Sequence, residues 1–475
     1  MSELKNKTVN GLKWSALERI LSQGIQLILM LILARLLGPK AFGLIGMLAM
    51  FIAIGQVFID SGFSSALIRK TDRTNTDYST AFYFNIIVAI CCYLLLYFSA
   101  GYIANFYQQP ELVLLAKVIG LSLIANSFSV VPRTILTVSM NFKAQAKASI
   151  CSVILGGIVA LIFAWKGYGV WALVAQTLSV SVLSALFLNI ITRWVPALIF
   201  SKKSFNYLFG FGGKLLVSGL LDTTYNNVYQ LIIGKKFSAE NVGQFTQANQ
   251  ISSIPAMTMT NIIQRVTYPM FSHMQEDSHK MDEYYLLTMK VAALFIFPLM
   301  AGVAILAQPL LQLVLGSQWH EAAGLVTILA LAYMLYPIHA INLNVLQVKG
   351  RSDLFLKLEI IKKIIGISIV TVTMNYSIYI MCFGLLIHSY FALVLNTYYT
   401  GKLTGLTVWR QFKEVSPIWL ITMLSCFIAK IIAMNLSAQN IWQIIIMLTL
   451  APGIYIGMIY LTQRNLFKIV LSIRE

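Results

Sequence analysis

Residues 20–55 read ILSQGIQLILMLILARLLGPKAFGLIGMLAMFIAIG and decide the fold. They are almost entirely apolar over more than the ~20 residues that a helix needs to cross a bilayer. Comparable apolar runs recur along the 475-residue chain, which is 58% hydrophobic and 11% charged. In lipid, backbone polar groups are satisfied only in helices or a closed barrel, and these runs are too long and too uniformly apolar for barrel strands. The sequence therefore predicts an all-α polytopic membrane protein.

Gly, Pro and charged residues divide the apolar windows into about fourteen predicted spans. They lie near residues 11–36, 42–67, 79–101, 112–135, 148–165, 170–192, 213–234, 244–270, 284–308, 321–347, 354–374, 377–399, 415–434 and 441–462. The first span resembles a signal peptide, with Lys5, Lys7 and Lys13 near its start, but its apolar run continues past Leu37 without a small-residue cleavage site. We therefore expect the first span to be retained. An even number of spans places both termini on one side of the membrane.

The distribution of Lys and Arg indicates which side that is, because cytoplasmic loops carry an excess of these residues. The loops on the side of the termini hold most of them, whereas the opposite loops hold only Lys40, Lys166, Lys235 and Lys236. We expect both termini in the cytoplasm and the chain in a bacterial cytoplasmic (inner) membrane. The formal net charge of +18 is then a consequence of topology, and it does not indicate nucleic-acid binding.

Several classes of activity are disfavoured by the short loops. No predicted loop is much longer than about 20 residues, and no Gly-rich phosphate loop is present, so ATP hydrolysis and an extramembrane catalytic domain are not expected. The five cysteines lie in apolar segments, and the five histidines show no metal-ligand spacing. We expect neither a metal nor a cofactor, and no catalytic residue.

An internal repeat appears when the chain is compared with itself at an offset of 200 residues. ARLLGPKAFG at 34–43 then aligns with GKKFSAENVG at 234–243, and Ser22 and Gln26 align with Asp222 and Asn226. This pattern predicts two six-helix lobes, residues 1–200 and 201–400, related by a pseudo-two-fold axis along the membrane normal. Residues 401–475 supply a last helix pair and a cytoplasmic tail. Chance similarity between two apolar segments is the alternative.

Several motifs together resemble a known family. They are ARLLGPKAFG at 34–43, DSGFSSALIRK at 60–70, the stretch from FGGKLLVSGLLD to NQISSIP at 211–255, RVTYPMFSHMQED at 265–277 and LVLGSQWHEAA at 313–323. In this order they are similar to the Wzx-type polysaccharide flippases of the multidrug/oligosaccharidyl-lipid/polysaccharide transporter superfamily, particularly the colanic-acid and teichuronic-acid exporters. The resemblance covers roughly residues 5–400.

The resemblance implies export of an undecaprenyl-pyrophosphate-linked oligosaccharide by alternating access between two lobes, coupled to an ion or to the membrane potential. It also implies a place beside a polymerase and other polysaccharide-assembly proteins. The second repeat copy, GKKFSAENVG, lacks the LG-P of the first, so equivalent gating by both lobes is not implied.

Basic residues inside spans are candidates to bind the pyrophosphate. Charges within spans usually face a bundle interior or a water-filled cavity, and the predicted topology places four of them in the cytoplasmic half. They are Arg19, Lys214, Arg265 and Lys290. Arg holds phosphate oxygens through paired hydrogen bonds, and Lys acts as a point charge. The alternative for Lys214 and Lys290 is that they reach back to the lipid headgroups.

Asp60 and Asp222 are candidates for ion coupling, because a carboxylate in a low-dielectric cavity can exchange a proton for a basic partner. A structural salt bridge with Arg19 is the alternative for Asp60. Arg35, near the outer end of the first span, is a candidate for gating, and contact with outer headgroups is its alternative.

Uncharged polar residues concentrate in the seventh and eighth spans. We expect the following to line a hydrated cavity for sugar hydroxyls: Asn226, Gln230, Gln247, Gln250, Asn261 and Gln264. Helix-to-helix hydrogen bonding is the alternative. Two other functions remain open: a cation-coupled exporter of small drugs, whose cavity would be acidic or apolar, and a membrane enzyme, which would need larger outer loops.

Overall fold

The computed structural model describes residues 2–274, 277–436, 439–464 and 466, and these residues are helical apart from short turns and linkers. The helices are α1 Ser2–Asp60, α2 Phe63–Arg69, α3 Asn75–Tyr107, α4 Leu112–Ile119, α5 Leu121–Val138, α6 Phe142–Trp165, α7 Trp171–Thr192, α8 Lys202–Lys236, α9 Ala239–His273, α10 Ser278–Val314, α11 His320–Tyr333, α12 Tyr336–Val348, α13 Ser352–Thr373, α14 Ile378–Leu403, α15 Val408–Leu436 and α16 Asn440–Thr462. The all-α prediction is confirmed.

Within the described ranges, ten helical segments are long and apolar enough to cross a membrane. One of them, 17–69, joins the first two predicted spans, and α8, α9 and α13 are not among the ten although each is long enough for a span. A polytopic helical membrane protein is therefore confirmed, and the number fourteen stays a prediction. The predicted cytoplasmic tail beyond residue 466 lies outside the described residues.

Helix α1 bends once, at Gly38. A straight helix of 59 residues would measure about 90 Å, roughly three times the hydrocarbon thickness of a bilayer. Gly38 has non-helical backbone angles, φ 72° and ψ 174°, and Pro39 follows it without an N–H group to donate. The sequence predicted two spans, 11–36 and 42–67, and the structure joins them through this single non-helical residue.

The chain forms two compact units, Met1–Gly243 and Gln244–Glu475. Unit 1 extends beyond the predicted lobe boundary at residue 200 because α8 packs along α1, α2 and α3. In unit 2, α15 and α16 pack on α10. The three predicted domains follow the sequence repeat rather than these packing units, and they stay predictions.

A buried ion pair fixes the corner between α2 and α3 in unit 1. Lys70 Nζ lies 2.7 Å from Asp77 Oδ2, and the Asp77 side chain is 1% exposed. Asp77 also completes a capping box, since it accepts a hydrogen bond from the Thr74 backbone N–H and its own N–H donates to Thr74 Oγ1. The Asp77 carboxylate therefore accepts a backbone hydrogen bond at the start of α3 and also neutralises the half-buried Lys70.

We expect Asp77→Ala to lower the stability of the protein by about 2–4 kcal/mol, since it removes a cap and leaves Lys70 without its carboxylate. Thermal unfolding in detergent measures the change. Asp277→Ala is the matched control, because Asp277 also caps a helix but is exposed. Equal melting temperatures for the two variants would contradict this account of the corner.

Candidate functional site

Helix α8 carries a polar ridge whose members recur every four residues. Lys214, Ser218, Asp222 and Asn226 are all exposed, and they extend over about 18 Å of the helix. Gln230 continues the series and is half-buried. Polar and charged side chains inside a membrane helix are costly against lipid. Because α8 is a predicted span, this ridge is expected to face water or a polar ligand.

Helix α9 carries a second polar face, in unit 2. Gln250, Asn261, Gln264 and Arg265 lie within about 100° of one another around the helix. Gln250 and Arg265 are exposed, and Asn261 and Gln264 are half-buried. Gln247 lies on the same side, five turns before Arg265, but it is fully buried. The polar face is thus covered at Gln247, and its other members are exposed or half-buried.

The four predicted phosphate-binding cations have different surroundings. Arg19 and Lys214 are exposed in unit 1, and Arg265 is exposed in unit 2. Lys290 is half-buried and forms an ion pair with the Glu414 carboxylate of α15. Glu414 therefore already neutralises Lys290, whereas the other three retain exposed positions from which to bind an anion.

The predicted coupling and gating residues all belong to unit 1. Asp60 is half-buried near the end of α1 and accepts a hydrogen bond from Ser64 Oγ at 2.5 Å. In the described part of unit 1 the Asp60 carboxylate bonds to this hydroxyl and not to Arg19. Arg35 is exposed one turn before the bend at Gly38. Asp222 belongs to the polar ridge of α8.

The two copies of the sequence repeat meet at a pair of glycines. A Cβ atom added to Gly43 would lie 1.6 Å from the Ala239 carbonyl oxygen, and one added to Gly243 would lie 1.9 Å from the Pro39 carbonyl oxygen. The contact is reciprocal at the offset of 200 residues: 43 meets 239, and 243 meets 39. The aligned glycines are therefore required for close backbone contact, and we call this contact the glycine crossing. The pseudo-two-fold axis itself stays a prediction.

Two interactions of charged residues were not found in the sequence. Arg133 lies inside α5 and donates to Ser184 Oγ on α7 at 3.4 Å. Glu414 was not considered as a partner for Lys290 because no local spacing connects residues that are so far apart in the sequence. The sequence did hold a signal for the position of Arg133 inside a helix, because this residue lies inside the apolar run of the predicted span at 112–135.

Comparison with known proteins decides the family. A family model described as "Polysaccharide biosynthesis protein" matches residues 32–324, more than half of the chain. The chain belongs to this polysaccharide biosynthesis family. Membership confirms the resemblance drawn from the motifs at 34–43 and 211–255.

One relative agrees with this assignment, and two solved structures share the fold. The teichuronic acid biosynthesis protein TuaB of Bacillus subtilis (strain 168) is 27% identical over 356 residues, which cover 74% of each chain. A structure of the lipid II flippase MurJ, in an inward closed conformation, matches with a TM-score of 0.76 at 14% identity and covers 95% of this chain and 100% of that chain. An inward-facing multidrug resistance MATE transporter matches with a TM-score of 0.62 at 16% identity, covering 81% and 98%. At these identities the two structures show the fold alone.

We expect Gly43→Ala to separate the glycine crossing, because the backbone carbonyl of Ala239 occupies the position of the added methyl group. Overpacking of this kind costs about 1–3 kcal/mol, which thermal unfolding in detergent detects. Gly24→Ala, on the same helix with nothing within 4 Å, is the matched control and should not lower the melting temperature. A Gly43→Ala protein as stable as the control would show that the crossing is not a tight contact.

Proposed function

We propose that this protein moves an undecaprenyl-pyrophosphate-linked oligosaccharide repeat unit from the cytoplasmic to the outer leaflet of a bacterial cytoplasmic membrane, for cell-surface polysaccharide biosynthesis. The observation that carries the proposal is the exposed polar ridge of α8, in a chain that is otherwise strongly apolar. Membership of the polysaccharide biosynthesis family supports it. The names of TuaB and of the flippase MurJ point to the same chemistry.

The amide-rich faces suit the sugar part of such a substrate. Each Asn or Gln side chain offers two donors and an acceptor, which match the hydroxyl groups of a glycan. Asn226 and Gln250 are exposed, and Gln230, Asn261 and Gln264 are half-buried. Because uncharged amides can bond to the hydroxyl groups of many different sugars, such a face does not require one particular glycan composition. Gln247, fully buried, would meet sugar only after this end of α9 is uncovered.

The exposed cations suit the pyrophosphate. Arg265 on α9 holds phosphate oxygens through two parallel hydrogen bonds, and Lys214 on α8 adds a point charge. Arg19 provides a third exposed cation on α1. Lys290 contributes less, because Glu414 already balances its charge. Arg19 and Lys214 in unit 1 and Arg265 in unit 2 each lie towards the predicted cytoplasmic end of their helix, the side from which the headgroup is expected to enter.

The glycine crossing supports alternating access as the mechanism. The crossing lies within unit 1 on the predicted outer side, beside the bend of α1 and at the start of α9, whereas the ridge of α8 is exposed. Release of the sugar to the outside requires the crossing to separate. The amide nitrogen and oxygen of Gln247 make no hydrogen bond within the described residues, and opening at this end would allow both atoms to be hydrated.

Asp60, Asp222 and Arg35 are the proposed coupling and gating residues. Asp222 lies one turn from Asn226 on the ridge, where binding of a coupling ion would change the charge that the substrate meets. We place both termini in the cytoplasm, which leaves the outer ends free to pass the unit to a polymerase and other assembly proteins. The chain acts as a transporter and not as an enzyme.

A cation-coupled exporter of small molecules is the second candidate on this fold. It requires an acidic or apolar cavity to attract cationic drugs. The charged residues of the two polar faces are Lys214 and Arg265 against Asp222, which is a cationic excess. This balance favours the anionic lipid-linked substrate.

The test is a liposome assay with purified protein and a fluorescent undecaprenyl-pyrophosphate oligosaccharide. We expect wild type to expose the glycan to an external lectin faster than protein-free vesicles do. Arg265→Gln should reduce the rate about tenfold or more, since hydrogen bonds to charged groups contribute about 1.5–3 kcal/mol. No exposure by wild type above the protein-free rate would reject the flippase.

A matched control separates phosphate binding from general charge loss. Lys290→Gln combined with Glu414→Gln removes a cation together with its partner. If Lys290 only pairs with Glu414 and does not bind substrate, the double variant should flip the substrate at close to the wild-type rate. A loss as large as that of Arg265→Gln would instead assign Lys290 to the substrate.

A further inference from the structure

The linker between α7 and α8 exposes an unusual amount of apolar surface. Residues 193–201 are not helical, and they connect the end of an apolar span to the start of α8. Leu198 is 94% exposed and Val195 is 75% exposed, and Ile199 and Phe200 are also exposed. Ile190, in the last turn of α7, is exposed as well. The apolar surface of the linker is therefore continuous with that of a membrane-spanning helix.

Three hydrogen bonds fix the opposite side of the linker to the start of α3. Trp194 Nε1 donates to Asn75 Oδ1 at 2.7 Å, the Ala197 N–H donates to Ser79 Oγ at 2.9 Å, and the Ser201 N–H donates to Thr80 Oγ1 at 3.1 Å. The Trp194 ring also contacts the rings of Tyr78 and Phe82 edge-on. The linker is thus held in place, and its apolar side chains point outward because the inner side is occupied.

Exposed cations flank these apolar side chains. Arg193 precedes them, and Lys202 and Lys203 follow; all three are exposed. No acidic residue occurs between Arg193 and Asp222. An apolar segment at the end of a span, flanked by Lys and Arg, is typical of backbone that lies at a membrane surface, with cations at the level of the lipid phosphates.

We propose that the 193–203 linker is a binding site for anionic phospholipid: its apolar side chains insert at the headgroup–acyl boundary, and Arg193, Lys202 and Lys203 bind the lipid phosphates. The site goes beyond the proposed transport activity, since it lies outside the polar ridges. It also has a mechanical consequence. Ser201 caps α8 and bonds to Thr80 of α3, so lipid bound here holds the start of the helix that carries the ridge.

Charge and position favour a lipid surface over a cytosolic partner. The linker begins directly after Thr192, the last residue of an apolar span, which places Val195 and Leu198 at the depth of the headgroups. A cytosolic protein would have to displace lipid from Ile190 and its neighbours to reach them. The positive charge matches the anionic lipid of bacterial membranes.

The first experiment compares lipid retention by native mass spectrometry, using the full-length protein in detergent with equal amounts of phosphatidylglycerol and phosphatidylcholine. Wild type should retain phosphatidylglycerol preferentially. Lys202→Gln with Lys203→Gln should weaken that retention by about fivefold for each lysine, roughly 25-fold together. Lys235→Gln with Lys236→Gln, at the other end of α8, is the control of equal charge change and should leave it unchanged.

The second experiment measures depth in nanodiscs. Leu198→Trp should show fluorescence quenching, beyond that of wild type, by lipids brominated on the acyl chain, and inorganic phosphate should not reverse it. The site is overturned by any of three results: no phosphatidylglycerol preference in wild type, equal losses in the two lysine pairs, or no added quenching at Leu198→Trp. Melting temperatures equal to wild type establish that the variants are folded.

Discussion

Hydrocarbon solvates polar side chains poorly, and this constraint governs where the polar and charged side chains of the protein can lie. Exposed apolar residues on a membrane helix need no further partner, but an exposed row of Lys214, Ser218, Asp222 and Asn226 does. The same constraint explains why Lys290 pairs with Glu414 inside unit 2 and why Lys70 pairs with Asp77 in unit 1. Lys290 and Lys70 are thus neutralised by a partner, whereas Lys214 and Asp222 are exposed on the ridge that forms part of the proposed substrate path.

Backbone contact at the glycine crossing is a close approach of α1 and the start of α9. Helices approach so closely only where both side chains are absent, and the reciprocal positions of Gly43 and Gly243 satisfy this requirement. Gly38 contributes in a different way, because its positive φ angle turns α1 before the crossing. The proposed alternating access would require the crossing to separate.

Local patterns in the sequence predict the helices and the internal repeat. Apolar run length identifies the helices, and the offset of 200 residues aligns Gly43 with Gly243. Contacts between distant segments were not predictable in this way. Nothing near Lys290 in the sequence indicates Glu414, and helical periodicity places Gln247 and Arg265 on the same side although one is buried and the other exposed. Helix α1 was divided into two spans because Gly38 and Pro39 resemble a loop signal, whereas a single residue makes the bend.

Cysteine accessibility tests most directly whether the polar faces meet water. Asn226→Cys on α8 and Asn261→Cys on α9 would be treated with a membrane-impermeant thiol reagent in inverted vesicles, beside Leu95→Cys, a position on α3 that is 69% exposed but apolar. Charged thiol reagents need a hydrated thiolate, so exposure to lipid does not give reactivity. The account predicts rapid modification at positions 226 and 261 and little at position 95. Equal reactivity at all three positions, or none at 226 and 261, would contradict it.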